Sequence, residues 1–137
     1  MLTARFRNIV LFVFVKYVVF AIVLAGMNDR FKTLVTDRSN TTADWVTNTF
    51  HYCMYVLLVI IVFIALFSLP YWLVFRIRNK VLFVLAVVLV LSVDSACYVW
   101  FNVTGNVRYG EIDLLVGVLT LLVFFFKPVR QKIIAHP

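Results

Sequence analysis

The chain has 137 residues, of which 64% are hydrophobic and only 14% are charged, and its formal net charge is +7. Water-soluble domains carry about 45–50% apolar and roughly 25% charged residues, so this composition excludes an ordinary soluble domain and indicates a membrane protein. The basic residues stand in short clusters at the edges of apolar runs, with no stripe of interleaved aromatic residues, which argues against a nucleic-acid partner.

Four apolar runs predict membrane spans, at residues 9–27, 51–75, 81–101 and 112–126. About 20 residues rising ~1.5 Å each are enough to cross a hydrocarbon core of ~30 Å. The fold class expected is an all-α membrane protein. A single domain over residues 1–137 would form a bundle of four antiparallel transmembrane helices.

The first run follows Arg5 and Arg7 and is interrupted only by Lys16. The sizeable loop Asn28–Asn48 comes next. Thr42 in its second half, followed by an acidic residue in what would be the first turn, is typical of a helix start. We therefore expect the second helix to begin in this loop and to run on into the membrane.

The second run contains Pro70 and ends with Tyr71 and Trp72. Proline removes a helical hydrogen bond, and aromatic rings favour the membrane interface, so this segment predicts a kink near the interface with both rings anchored there. The short segment Arg76–Lys80 allows only a reversal, and the third run should therefore form a tight helical hairpin with the second.

The fourth run is the shortest, and Glu111 and Asp113 stand at its predicted start. Carboxylates are favourable at the positive end of the helix dipole, so both are interpreted as capping residues. Residues 112–126 alone would rise only ~22 Å. The span must then thin the bilayer or borrow residues from Tyr109 onward.

Basic residues determine the expected orientation. Eight of them fall on one side of the predicted bundle and four on the other: Arg5, Arg7, Arg76, Arg78, Lys80, Lys127, Arg130 and Lys132 against Arg30, Lys32, Arg38 and Arg108. The richer side should be cytoplasmic, which predicts that both termini are inside. We expect location in a bacterial inner membrane, with the basic clusters on anionic lipid headgroups.

The embedded ionisable residues Lys16 and Asp94 are the leading site candidates, because charge is costly in lipid. Asp94, Ser95, Tyr98 and Asn102 follow one another at near-helical spacing and form a polar ridge. Lys16 is close enough to the inner edge to extend to the headgroups, or it pairs with Asp94, whose predicted depth differs by ~8 Å.

Three interpretations of the ridge remain open. It fixes the packing of the four helices by hydrogen bonds, it contacts another membrane protein, or it binds a proton or ion. The chain contains none of the common hydrolase, metalloprotease or nucleotide-binding motifs, and its loops are short, so we expect neither an enzyme nor a cofactor or metal site.

Two resemblances bear on function. The first three spans, with Ala96-Cys97-Tyr98 leading to Gly105, resemble the N-terminal membrane domain of lipid A phosphoethanolamine transferases, without the catalytic domain of that family. The size and topology resemble those of bacterial membrane-bound immunity proteins.

The function expected from these features is that of a non-enzymatic accessory or immunity-type protein. It would act by helix contact with another membrane protein or with itself, through the Asp94 ridge and the Asn28–Asn48 loop. The alternatives are an oligomeric pore or ion-conducting subunit, which would need Asp94 or Lys16 along its path, and a membrane domain related to the transferases.

Overall fold

The computed structural model of the protein describes residues 5–27, 31–101 and 107–134, apart from the side chains of Lys132 and Ile134. The helical elements in chain order are α1 (Phe6–Met27), a π-helical segment (Lys32–Thr36), α2 (Thr42–Arg76), α3 (Lys80–Phe101) and α4 (Val107–Ile134). Each of the four α-helices is long and apolar enough to cross a membrane. The part of the chain that the structure describes is therefore all-helical, and the protein is of the integral membrane class.

The four helices surround one interior. α1 packs against α2 and α4, and α3 packs against the same two helices. Each helix presents a stripe of buried residues at helical spacing, which on α1 comprises Ile9, Phe12, Val13, Lys16, Tyr17 and Phe20. The outward faces carry exposed leucine, valine and isoleucine side chains, so lipid is the solvent that this surface requires.

α2 begins with a capping box formed by Thr41 and Asp44. The Asp44 backbone N–H donates to Thr41 Oγ1 (3.2 Å), and the Thr41 N–H donates to Asp44 Oδ2 (3.1 Å). The helix therefore begins in the loop as predicted, but the capping threonine is Thr41, one residue before the one expected. α2 continues through Pro70 for 35 residues, about 52 Å, which exceeds a hydrocarbon core of ~30 Å.

α4 is much longer than the run predicted at residues 112–126. It has 28 residues and begins at Val107, so its length of about 42 Å spans a bilayer without thinning it. Its backbone leaves helical geometry at Phe125 (φ −120°, ψ 24°), three residues before Pro128, whose ring nitrogen cannot donate to the preceding turn. The early start places Asp113 almost two turns inside the helix.

The two ends of the bundle differ. At one end the π-helical segment packs on α2, with Val35 buried and the Phe31 ring centroid 5.4 Å from that of Tyr52. We call this the π-segment end. At the opposite end Phe6 packs edge-on against Trp72 at 6.0 Å, and the Arg76 guanidinium carbon lies 3.7 Å from the centre of the Trp72 ring.

Glycine allows α3 and α4 to approach closely. A Cβ atom built on Gly110 would lie 2.7 Å from Val99 Cγ2, whereas one built on Gly26 would meet nothing within 4 Å.

We expect Gly110→Val to lower the free energy of unfolding by about 1–3 kcal/mol through overpacking. Gly26→Val is the matched control and should lower the free energy of unfolding much less. Equal losses in a denaturant titration in micelles would contradict this packing.

Candidate functional site

A fully buried lysine binds two fully buried carboxylates in the interior of the bundle. Lys16 Nζ donates to Asp94 Oδ2 at 2.5 Å and to Asp113 Oδ2 at 2.9 Å, and all three residues are 0% exposed. The predicted pairing of Lys16 with Asp94 is confirmed, and a second carboxylate shares the same ammonium group. We call Lys16, Asp94 and Asp113 the ionic cluster.

Three hydroxyl groups also donate to the carboxylates of the cluster. The Tyr17 hydroxyl donates to Asp94 Oδ1, and the Tyr71 hydroxyl donates to Asp94 Oδ2 at 2.8 Å. Ser95 Oγ donates to Asp113 Oδ2 at 3.1 Å. With Lys16 and Tyr17 on α1, Tyr71 on α2, Asp94 and Ser95 on α3, and Asp113 on α4, every α-helix contributes to one polar network.

The two carboxylates are not equivalent. Asp94 accepts from three donors, which engage both of its oxygens. Asp113 accepts both of its hydrogen bonds on Oδ2, while its buried Oδ1 has no partner within the described part of the chain. One ammonium and two ionised carboxylates leave one uncompensated negative charge, which is costly in an apolar interior. The cluster can therefore accept one proton or one monovalent cation.

Gly117 makes room for the lysine side chain. A Cβ atom at this position would lie 3.2 Å from Lys16 Cε and 2.9 Å from Leu91 Cδ2. The Lys16 stem thus lies against the backbone of α4 and is held inside the bundle. The alternative that Lys16 extends to the inner headgroups is wrong.

Aromatic side chains close the cluster on the side away from the π-segment end. Phe12 packs edge-on against Tyr71 at 5.3 Å and against Phe125 at 5.5 Å, and Phe75 lies 4.7 Å from Phe125. All four rings are at most 5% exposed. Since Tyr71 is one of these rings and its hydroxyl bonds to Asp94, the layer lies directly against the cluster.

A cavity of about 140 Å³ lies on the other side of the cluster, towards the π-segment end. Its walls come from all four helices and the π-helical segment, and they include Tyr17 and Tyr109. Tyr17 forms the partition, because its ring lines the cavity while its hydroxyl bonds to Asp94. Tyr109 stands one helical turn before Asp113. The cavity therefore reaches the cluster at Tyr17, and neither carboxylate is among the described residues that line it.

The structure brings together three of the predicted site residues, Lys16, Asp94 and Ser95. Tyr98 is half-buried and lines the cavity, where its ring lies 4.6 Å from that of Phe20. Asn102 lies outside the described residues. Asp94 and Ser95 are 0% and 6% exposed, so this part of the ridge faces the interior and not a neighbouring protein.

Two further interpretations from the sequence are wrong. Asp113 was expected to cap the last helix, but it is a buried member of the cluster because α4 begins six residues before it. Tyr71 was expected at the membrane interface beside Trp72, but it is 1% exposed and bonds to Asp94.

Asp113, Tyr17 and Tyr71 were not expected from the sequence as members of the site. A signal for Asp113 exists in the spacing of small and polar residues on α4. Gly117 and Thr120 follow Asp113 by four and seven positions, which places all three on one face of α4, and all are buried.

Comparison of the chain with protein-family models, with curated proteins and with solved structures finds no match.

The charge balance of the cluster makes a prediction about stability. Lys16→Met leaves two buried carboxylates without their cation and should lower the free energy of unfolding by about 3–5 kcal/mol. The neutral variant Lys16→Met/Asp94→Asn/Asp113→Asn should recover much of this loss, because no isolated charge remains. Denaturant titration in micelles measures both, with Lys32→Met, at an exposed position, as the control. A triple variant no more stable than Lys16→Met would contradict the ionic origin of the effect.

Proposed function

We propose that the chain is a non-enzymatic membrane protein that binds and releases a proton at the ionic cluster, and that it belongs to the ion-handling class. The observation that carries this proposal is the sharing of one buried ammonium group by two buried carboxylates. Carboxylates that lie inside membrane spans and share a binding partner are typical of proton relays and ion pathways. From the sequence, Asp94 was the single carboxylate expected inside the bundle, and the structure adds Asp113.

Asp113 is the proton-binding residue in this proposal. Asp94 has three hydrogen-bond donors, which stabilise its ionised form, whereas Asp113 has one oxygen with no partner among the described residues. A proton on Asp113 Oδ1 makes the cluster neutral overall. Lys16 then forms a balanced pair with Asp94 and a neutral hydrogen bond with the Asp113 carboxyl group.

Access from one side supports an exchange site in preference to an open pore. The aromatic layer of Phe12, Tyr71, Phe75 and Phe125 covers the cluster on one side, and the cavity approaches it on the other. In this proposal a proton enters and leaves by way of the cavity and passes the Tyr17 side chain that separates the cavity from the cluster. Conduction through the membrane requires a second conformation in which these rings separate.

We further propose an antiparallel up-down-up-down arrangement with both termini in the cytoplasm. The support is the distribution of basic residues, eight against four, together with the positive-inside rule. In this orientation the π-segment end and the cavity face the outside. The proton site then exchanges with the external solution.

A second candidate is an accessory or immunity-type protein that acts by lateral contact. The observation that favours it is the excess length of α2, whose first turns extend beyond what a bilayer requires and expose Trp45, Val46 and Phe50. This surface would take the place of the Asp94 ridge as the site of contact. Such a protein needs the ionic cluster only for folding and has no need of a carboxyl group that titrates.

Infrared difference spectroscopy tests the proton site. On a change from alkaline to acidic buffer, the purified protein should gain the absorption of one protonated carboxyl group in an apolar setting, because the shared charge is neutralised. Asp113→Asn should remove this band and still fold, since Lys16 and Asp94 remain balanced.

Asp37→Asn is the control, because Asp37 is an exposed carboxylate outside the helical spans, and it should leave the band unchanged. A band that persists in Asp113→Asn, or no such band at any pH, would contradict the proposal. Absence of the band would favour the accessory candidate.

A further inference from the structure

The cavity beside the ionic cluster is strongly aromatic. Eight of the described residues that line it are aromatic, and five of these are tyrosines: Tyr17, Tyr52, Tyr55, Tyr98 and Tyr109. No charged side chain is among the described residues that form its walls. The electron-rich faces of such rings attract organic cations, and enclosures of several aromatic rings are a recurring solution for binding quaternary ammonium groups.

The ionic cluster supplies the charge that such a ligand requires. With both carboxylates ionised, the cluster carries one net negative charge, and Tyr17 separates it from the cavity by the width of a single side chain. Lys16 Nζ lies 4.6 Å from the centroid of the Tyr17 ring, but its charge is cancelled by one of its two carboxylate partners. A cation in the cavity therefore experiences a net attraction that a neutral molecule of the same shape does not.

We propose that the cavity binds a lipophilic organic monocation with a quaternary ammonium or similar head, in competition with the proton on the ionic cluster. Its volume of about 140 Å³ is close to that of an engineered apolar cavity of ~150 Å³ that holds a benzene ring. One such head fits inside, and the apolar remainder of the ligand extends through the open side of the cavity.

This inference rests on the proposed function, because only the deprotonated cluster attracts the cation. Cation binding releases the Asp113 proton to water through the cavity, so charge is conserved when one positive species replaces another. Among the titratable groups of the cluster, Lys16 on α1 bonds to Asp113 directly, and Asp94 on α3 shares that lysine and accepts from Tyr17 on α1 and Tyr71 on α2. Of these, Lys16 and Asp94 form the balanced pair that remains when the proton leaves.

The experiment compares two probes of nearly identical shape. Benzyltrimethylammonium carries the positive charge, and neopentylbenzene has a carbon atom in place of its quaternary nitrogen. Both are titrated into the purified full-length chain in micelles by calorimetry. We expect the cation to bind at least about tenfold more tightly than its neutral counterpart.

Two tryptophan variants locate the binding site. Val59 is a half-buried residue of the cavity wall, and the next residue along the chain, Leu58, is 62% exposed and is not part of that wall. Val59→Trp should fill the cavity and weaken cation binding by about tenfold or more. Leu58→Trp adds the same side chain one position away and should leave the affinity unchanged.

Buffer pH tests the competition with the proton. The cation should bind more weakly in acidic than in alkaline buffer. This difference should vanish in Asp113→Asn, because the cluster of that variant is neutral at both pH values. Equal affinity for the two probes, or no effect of Val59→Trp, would overturn the cation site even if the infrared band of Asp113 is present. Cation binding that is independent of pH in the unmodified protein would overturn the competition.

Discussion

The cost of burying the Lys16 ammonium group in a membrane interior governs the arrangement of this protein. A charge removed from water is tolerated only when it is paired and hydrogen-bonded, and here the partners come from other helices, Asp94 from α3 and Asp113 from α4. The Tyr71 hydroxyl brings α2 into the same network. Since lipid and protein interior are equally apolar, such contacts give the helices a defined register that apolar packing alone supplies less well.

Other features of the structure are consistent with this requirement. Gly117 leaves the space in which the lysine stem lies, and the Phe12 and Phe125 rings belong to the layer that covers one side of the cluster. Tyr17 combines two roles, because it satisfies Asp94 and also forms the wall between the cluster and the aromatic cavity. The residues that hold the ionic cluster thus cover it on one side and leave a single side chain, Tyr17, between it and the cavity on the other, which connects the packing of the bundle to the proposed proton binding.

The sequence predicted the four helices because each apolar run is long enough to cross lipid, and it predicted Lys16 and Asp94 because charge inside such a run requires a partner. It did not predict Asp113, whose role depends on α4 beginning at Val107 and not at Ile112, a boundary that polar loop residues conceal. Tyr71 was misplaced for a related reason. Lipid-facing and core-facing residues of these helices are equally apolar, so hydropathy does not identify the face on which a tyrosine lies.

The most direct test of the account is the distance between the lysine nitrogen and the aspartate carboxyl carbons in a lipid bilayer. Solid-state nuclear magnetic resonance with ¹⁵N-labelled lysine and ¹³C-labelled aspartate measures this distance through dipolar coupling. One lysine Nζ should couple to two aspartate Cγ atoms, and each signal should disappear in the corresponding Asp94→Asn or Asp113→Asn variant. Coupling to only one aspartate, or to none, would contradict it.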